Sequence, residues 1–312
     1  MLKIQYQQGV KELGFLRQLS EADPGGRHHV LDLLAHFIYK NHLCIVLPRM
    51  EMNLREVLKT YGKDTGLNIY AIKSYSKQLF RALKLIKKCG FIHADIKPDN
   101  ILVCKNNSTL KLADFGSGVK PHELDYTPYF VSRFYRAPEI IMGYPFDFCV
   151  DLWSVGVSLF ELFTSKVLFP GSNNNDMLMK IFELKGKAPQ RMIRRSHFRS
   201  KHFDDAGNFI KREIDSLTNM EKSTVIYDLS STSQPKKDLL GLLKPYAHHS
   251  VISTSKTNAD GTKIRSQELE GTRPHIDKKV SEFSDLLDKI LVVDPGRRST
   301  ISSALEHSFL TN

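Results

Sequence analysis

The sequence predicts an α+β fold that is mainly helical, with a few short strands in its first half. Three observations carry this reading. Apolar residues recur at helical spacing over long stretches, as at Ile72, Leu79, Leu83 and Ile86. The run from Val150 to Phe163 is apolar nearly all round, as a central buried helix should be. Short apolar or alternating runs, joined in pairs by polar turns, read as strand pairs.

Taken in order, Val10, Leu13, Leu16 and Leu19 mark a first helix, stopped by the turn signal Asp23-Pro24-Gly25-Gly26. Val30 to Tyr39 and His42 to Leu47, joined by Lys40-Asn41, read as a strand pair. Leu54 to Tyr61 and Ile69 to Cys89 have helical periodicity. The second ends with Lys84, Lys87 and Lys88, where the helix dipole favours cations, and Gly90 closes it. Ile101-Leu102-Val103 and Leu110-Lys111-Leu112-Ala113 form a hairpin around the polar turn Lys105 to Thr109. Helices resume from Ser281, with Phe283, Leu286, Leu287, Ile290 and Leu291, and again from Ser299 as N-cap to Leu310. Ser223 to Lys279 is rich in Ser, Thr, Lys and Gly, and much of it reads as a mobile insertion. His248-His249 inside it has no Cys nearby, which argues against a metal site.

Bulk properties bound the function. A chain of 312 residues, 41% hydrophobic, fits one large domain or two small lobes with a real core. Cys44, Cys89, Cys104 and Cys149 are scattered without metal-like spacing, which suits a reducing compartment, cytosol or nucleus. The start, MLKIQYQQGV, has no apolar core of signal-peptide length. Phe146 to Phe163 carries Asp147, Asp151 and Glu161, so a buried helix is expected there and no membrane span. The net charge of +11 suits ATP and acidic or phosphorylated partners, and brings RNA in only indirectly, by proximity. Lys185 to Lys201 holds seven basic residues and no acid, and is either a docking stripe or a solvated face.

The stretch HADIKPDNILVCKNNSTLKLADFG, His93 to Gly116, carries the chemistry. Its hairpin should bring Asn100 and Asp114 side by side. An amide oxygen and a carboxylate are hard oxygen ligands that can share Mg²⁺ with substrate phosphates. Asp95 can accept a proton from an attacking hydroxyl, and Lys97 can neutralise charge on a transferred phosphoryl group. Metal, positioned nucleophile and positive charge are the parts of phosphoryl transfer. Any one of these residues alone fits a polar surface turn; the whole set, with Asp114-Phe115-Gly116 after the hairpin, points to the chemistry.

This stretch, together with Ser132-Arg133-Phe134-Tyr135-Arg136-Ala137-Pro138-Glu139, resembles the catalytic and metal-binding loops of eukaryotic protein kinases. Within them it is similar to the dual-specificity tyrosine-regulated-like branch, and there to splicing-associated Ser/Thr kinases of the pre-mRNA-processing-factor-four type. The resemblance implies a protein-kinase-like fold with a mainly helical C-lobe (53–312, insertion at about 223–279) and a truncated N-lobe of one helix and two strands (1–52). It implies ATP and Mg²⁺ as cofactors, protein substrates, splicing factors among them, and a nuclear location. Asp95, Lys97, Asn100 and Asp114 take the catalytic positions, the last two as metal ligands. Leu47, Pro48, Met50, Asn53 and Leu102 take the nucleotide side. Pro48 has no N–H but keeps the carbonyl that adenine needs, and Met50 keeps its donor. Asn53 reaches ribose or caps the helix from Leu54.

The same resemblance places Tyr129 as an activation-segment phosphosite beside Arg133 and Arg136, whose guanidinium groups can clamp a phosphate. Ala94 stands where most of the family has arginine, so regulation through that arginine is excluded. Glu139 is matched to Arg298 as a structural pair. Asp151 either accepts backbone N–H groups of the catalytic loop or caps its own helix. Glu12 falls where the family's helix glutamate pairs with a strand lysine; by its own sequence it fits a solvated helix face. No G-x-G-x-x-G and no V-A-I-K-like strand precede that helix. The expectation is a truncated chain with impaired activity; the alternative is a catalytically inactive interaction module.

Overall fold

The computed structural model describes residues 2–105, 108–121, 129, 131–214, 220–227, 238–248 and 266–312. Helix α1 (Leu2–Ala22) buries Phe15, Leu16 and Leu19, a stripe at helical spacing, against the rest of the molecule. Phe15 stacks on Phe91 with ring centroids 4.3 Å apart. Strands β1 (Ala35–Tyr39) and β2 (His42–Val46) form an antiparallel hairpin whose turn residues, Lys40 and Asn41, both take positive φ.

The expected strand from Val30 is divided. His29 turns the chain with φ 62°, and Val30 bridges in parallel to Leu112. The Leu31 N–H donates to the Leu112 carbonyl at 2.9 Å, and the Leu112 N–H to that of His29 at 2.8 Å. The first part of the run thus serves a different sheet from the second. That sheet has the order β3-β4-β5, with β3 (Met52–Asn53), β4 (Ile101–Val103) and β5 (Leu110–Leu112) all antiparallel. Ile101, Val103, Leu110 and Leu112 are buried on one face, while Leu102 and Lys111 are half-buried on the other, as period-two alternation requires.

Helix α2 (Leu54–Val57) starts in a capping box: Asn53 Oδ1 accepts from the Glu56 N–H and Glu56 Oε2 from the Asn53 N–H, both at 2.9 Å. A wider π turn continues it over Leu58–Gly62. Gly66 follows at φ 84°, where an added Cβ would stand 1.8 Å from the Phe163 carbonyl oxygen, so only glycine fits there. Helix α3 (Ile69–Lys88), capped by Asn68, buries Ile72, Leu79, Leu83 and Ile86. After the short helix α4 (Pro138–Met142), α5 (Cys149–Thr164) is buried from Val150 to Thr164.

Next come α6 (Asn174–Lys185), α7 (Gln190–Arg194) and α8 (Arg199–His202). The antiparallel pair β6 (Phe209–Ile214) and β7 (Glu221–Ile226) follows, then α9 (Leu239–Leu243). The chain ends with α10 (Ser266–Ile290), α11 (Ile301–Leu305) and α12 (Ser308–Thr311). Helices α3, α5 and α10 pack on one another and form the main core.

Three expectations need correction. The segment 223–279, read as an insertion, contains part of β7, all of α9 and the first half of α10; its residues 228–237 and 249–265 lie outside the described ones. Helix α10 begins at Ser266 rather than Ser281 and carries Pro274 within it. Ile276 and Val280 are buried and continue the stripe of Phe283, Leu286, Leu287 and Ile290, so packing extends the helix back past the point where composition suggested an end. The cap of α11 is Thr300, whose Oγ1 accepts from the Ser303 N–H, and not Ser299, whose N–H donates to the Lys289 carbonyl. A second break at His307 then separates α11 from α12.

Candidate active site

The β4–β5 hairpin sets the site. With Ile101 opposite Leu112, its outer ends meet, and the Ala113 N–H donates to the Asn100 carbonyl at 3.0 Å. Asn100 and the turn that begins at Asp114 are therefore adjacent, as the hairpin reading expected.

Asp95 stands at the centre of a polar cluster. Its Oδ2 accepts from Lys97 Nζ at 2.7 Å and from Asn100 Nδ2 at 3.0 Å. Its Oδ1 accepts from Ser132 Oγ at 2.6 Å. Lys97 Nζ also reaches Ser132 Oγ at 3.1 Å, and Asn100 Nδ2 reaches the Asp95 carbonyl at 2.8 Å. The Asn100 amide nitrogen faces Asp95, so its oxygen is not committed to Asp95. The side chain of Asp95 keeps 15% exposure, enough to meet a solvent-borne hydroxyl.

The loop that carries Asp95 is held from beneath. Asp151, buried on α5, accepts the His93 N–H at 2.7 Å and the Ala94 N–H at 3.0 Å. Burial pushes its carboxyl up, and these two donors pull the other way. Of the two readings for Asp151, loop acceptor and helix cap, the loop contacts are the ones present. They hold Ala94 at φ 66°, a left-handed conformation that costs an L-residue about 1–2 kcal/mol. His93 is fully buried; its Nε2 lies 3.0 Å from the Ala113 carbonyl and its Nδ1 accepts the Asp95 N–H at 3.2 Å. That pairing puts the proton on Nε2 and ties the loop to the end of β5.

Asp114 is also left-handed, at φ 63° and ψ 74°. Phe115 behind it is fully buried, 5.0 Å from the His93 ring and 6.1 Å from Phe91. Glu12 of α1 sits against this turn. Burial raises its pKa, the nearby Asp114 carboxylate raises it further, and the Phe115 N–H lowers it. The helix that carries Glu12 is drawn inward by the apolar contacts of Phe15, Leu16 and Leu19, with no need of an ion pair, and this replaces the solvated-face reading of Glu12. The Asp114 carboxylate and the Asn100 amide oxygen are hard donors of the kind a divalent cation takes, so these residues fit Mg²⁺.

Of the residues expected to face a nucleotide, Leu47, Pro48 and Met50 are half-buried in the link between β2 and β3. Pairing of Asn53 with Leu102 brings Leu102 next to that link. Asn53 caps α2, so its side-chain oxygen is committed to the Glu56 N–H.

Glu139 and Arg298 form a bidentate pair, as expected, fully buried on both sides. In the stretch before α4, described at 129 and from 131 onward, Tyr129 is 78% exposed and the Arg136 guanidinium lies 5.9 Å from its ring centre. Arg136 also donates to the Val131 carbonyl through Nε at 3.1 Å and Nη2 at 2.8 Å. Burial and Arg133 push its pKa down to about 10, so it stays charged near neutrality. Arg133 donates to the Ser172 carbonyl at 2.5 Å.

The protein kinase domain profile matches residues 3–310. The chain belongs to the protein kinase domain family. It is 41% identical over 307 residues to the serine/threonine-protein kinase prp4 of Schizosaccharomyces pombe, covering 98% of this chain and 59% of that protein. It is also 41% identical over 309 residues to the serine/threonine-protein kinase prpf4B of Dictyostelium discoideum, covering 98% and 35%. Similarity extends to the dual specificity protein kinase YAK1 of Saccharomyces cerevisiae, 32% identical over 320 residues, covering 97% and 37%. The chain thus spans about a third to three fifths of the length of these relatives.

Two parts of this kinase domain's site escaped the sequence reading. Ser132 opens the second signature without an assigned role, and only folding shows it touching both Asp95 and Lys97. The second is a network of buried Tyr135 and Glu161, half-buried Arg55 and exposed Asp99. The Tyr135 hydroxyl donates to Glu161 Oε2 at 2.7 Å and receives Arg55 Nη2 at 2.7 Å. Arg55 also pairs with Glu161 and, at 3.2 Å, with Asp99. Burial and Glu161 raise the Tyr135 hydroxyl's pKa, and the carboxylates outweigh burial to raise that of Arg55. The available signal was Glu161 itself, an acid within an apolar helix, which burial obliges to find a partner.

Among the described residues no helix is long and apolar enough to cross a membrane, and no group of three His, Cys, Asp or Glu side chains could hold a metal ion. The four cysteines are free. His248 pairs with Asp277 at 3.0 Å. The basic segment is largely engaged residue by residue: Lys185 with Asp288, Arg191 with Asp294, Arg195 over Tyr144 and Arg199 with the Asp205 carbonyl. These contacts favour a structural face over a docking stripe.

Proposed function

We propose that this domain is a protein Ser/Thr kinase that transfers the ATP γ-phosphoryl group to protein hydroxyls. One observation carries the reading: Asp95 is held by Lys97, Asn100 and Ser132 in a single cluster, with Asn100 bonded through its backbone to Ala113, the residue before Asp114. Asp95 takes the proton of the substrate hydroxyl as its oxygen bonds to phosphorus and the bond to the β-phosphate oxygen breaks. Lys97 offsets charge on the group in transfer. Bound Mg²⁺ supplies charge neutralisation on the phosphates, and Asn100 and Asp114 are the residues that would hold it. Leu47, Pro48, Met50 and Leu102 line the adenine side, with Asn53 at its edge.

Splicing factors as substrates and a nuclear location follow the same reading, supported by the likeness to prp4 and prpf4B. RNA enters only through such partners. Tyr129, clamped by Arg133 and Arg136 once phosphorylated, is the activation-segment switch. The deciding experiment is phosphate transfer to a protein substrate by Asp95→Asn. Loss of a positioned base should lower the rate about 10²–10⁴-fold; turnover equal to that of the unaltered protein would end the assignment.

A further inference from the structure

A hollow of about 510 Å³ opens beside the activation segment, and three cations from three separate elements line it. Arg133 comes from the turn after Ser132, Lys201 from α8 and Arg212 from β6. Ser200 and Asn173 add a hydroxyl and an amide, and among the described residues no carboxylate lines the space. The forks are held in place: Arg133 Nη1 donates to the Ser172 carbonyl at 2.5 Å, and Arg212 Nε to the Lys201 carbonyl at 3.0 Å. Nearby acids are engaged in other contacts, Asp176 with Ser172 and Lys180, and Asp204 with Asn208. Like charges converging on one hollow repel, and an anion between them removes the repulsion.

The hollow is also close to the chemistry. Ser132 touches Asp95, and Arg133 is the next residue, about 3.8 Å further along the Cα trace. An extended peptide covers about 3.3–3.6 Å per residue, so one whose hydroxyl meets Asp95 reaches the hollow within a few residues. The wall residue His202, buried beside Arg212 and Lys201, has its pKa pushed down to about 4, as burial in a positive surrounding requires.

Building on the kinase reading, we propose that this hollow is a substrate subsite for a phosphorylated or acidic side chain lying two to four residues from the acceptor hydroxyl. A phosphate on Tyr129 would draw on Arg133 and Arg136; Lys201 and Arg212 stand on the other walls and serve the substrate.

The test compares synthetic peptides with phosphoserine or serine at two to four residues before or after the acceptor. The protein is compared with its Lys201→Gln/Arg212→Gln variant, each also with Tyr129→Phe. The expected result is a kcat/KM ratio of tenfold or more in favour of a phosphoserine peptide, falling to about one in the variant and restored by Lys201→Arg with Arg212 intact. A ratio near one in the unaltered protein, or one the variant preserves, overturns the subsite. Should no peptide be phosphorylated by any form, the kinase reading falls, and fluorescence anisotropy with the labelled phosphoserine peptide decides the subsite alone. Binding lost in the variant supports it, and absent or equal binding overturns it. Melting curves check folding, with Lys201→Gln alone as the substitute if the double variant unfolds.

Discussion

Glu139 and Arg298, 159 residues apart in sequence, meet through two parallel hydrogen bonds of 2.6 and 2.8 Å with both side chains fully buried. Arg298 also donates to the Val292 and Cys149 carbonyls and lies over the Trp153 ring. The pair fastens the end of the activation segment to the loop after α10. Removing one partner strands a buried charge, so Arg298→Ala should destabilise by about 3–5 kcal/mol in urea unfolding. Arg298→Lys should recover little of this, because an ammonium cannot make the forked contact. Replacing both residues with apolar ones of like volume should cost far less than either single change.

Ala94 is held left-handed by the two N–H bonds to Asp151. Glycine adopts that conformation without the Cβ clash, so Ala94→Gly should stabilise by about 0.5–1 kcal/mol after the entropy of the unfolded chain is counted. A β-branched Ala94→Val should destabilise. Thermal melts of the two variants check the sign.

His202 links pH to stability. Asn175 donates to its Nδ1 at 3.2 Å, and burial with two nearby cations takes its pKa down to about 4. The unfolded imidazole binds its proton near pH 6.5, so between about 6.5 and 4 the unfolded state holds more protons and stability falls on acidification. The shift corresponds to about 3 kcal/mol. Glu12 acts with the opposite sign: its pKa is raised, so the folded state binds the proton more readily and its unfavourable contribution appears as pH rises above the ordinary carboxylate range. Urea midpoints from pH 4 to 8 should show the first effect vanish in His202→Phe and the second in Glu12→Gln.

Tyr129 should carry phosphate in active protein, detectable by mass spectrometry. Arg136 already lies over its ring and is charged near neutrality. Tyr129→Phe should lower activity about tenfold or more, the equivalent of one charge-assisted hydrogen bond of about 1.5 kcal/mol. Active protein free of phosphate there, with Tyr129→Phe fully active, would remove the switch.

The Tyr135 hydroxyl bridges Arg55 and Glu161 inside the core. Tyr135→Phe removes one hydrogen bond from each charge while leaving the Arg55–Glu161 pair, and should cost about 1–3 kcal/mol, read in urea unfolding. Ser154 and Ser158, bonded within α5's own surroundings, should tolerate Ala with a smaller loss.

What rests on short-range order is written in the chain itself. The β4–β5 hairpin needs only period-two alternation and a polar turn, so the adjacency of Asn100 and Asp114 is legible from the residue pattern alone. The stripe of α3 and the all-round apolar α5 are legible for the same reason, since burial leaves its period in the chain. The remaining features come from long-range packing. The run from Val30 is divided between two sheets because the Leu112 backbone bonds to His29 and Leu31, on either side of Val30, across about 80 positions, and no local pattern records which partner a strand will meet. Glu12 stands beside Asp114 rather than on a solvated face because the apolar stripe next to it sets the helix's rotation. Ser132 joins Asp95 and Lys97, and Arg133, Lys201 and Arg212 meet around one hollow, through contacts between segments distant in sequence. A side chain's type limits what it can bond; which partner it finds depends on how the packed core orients the backbone that carries it.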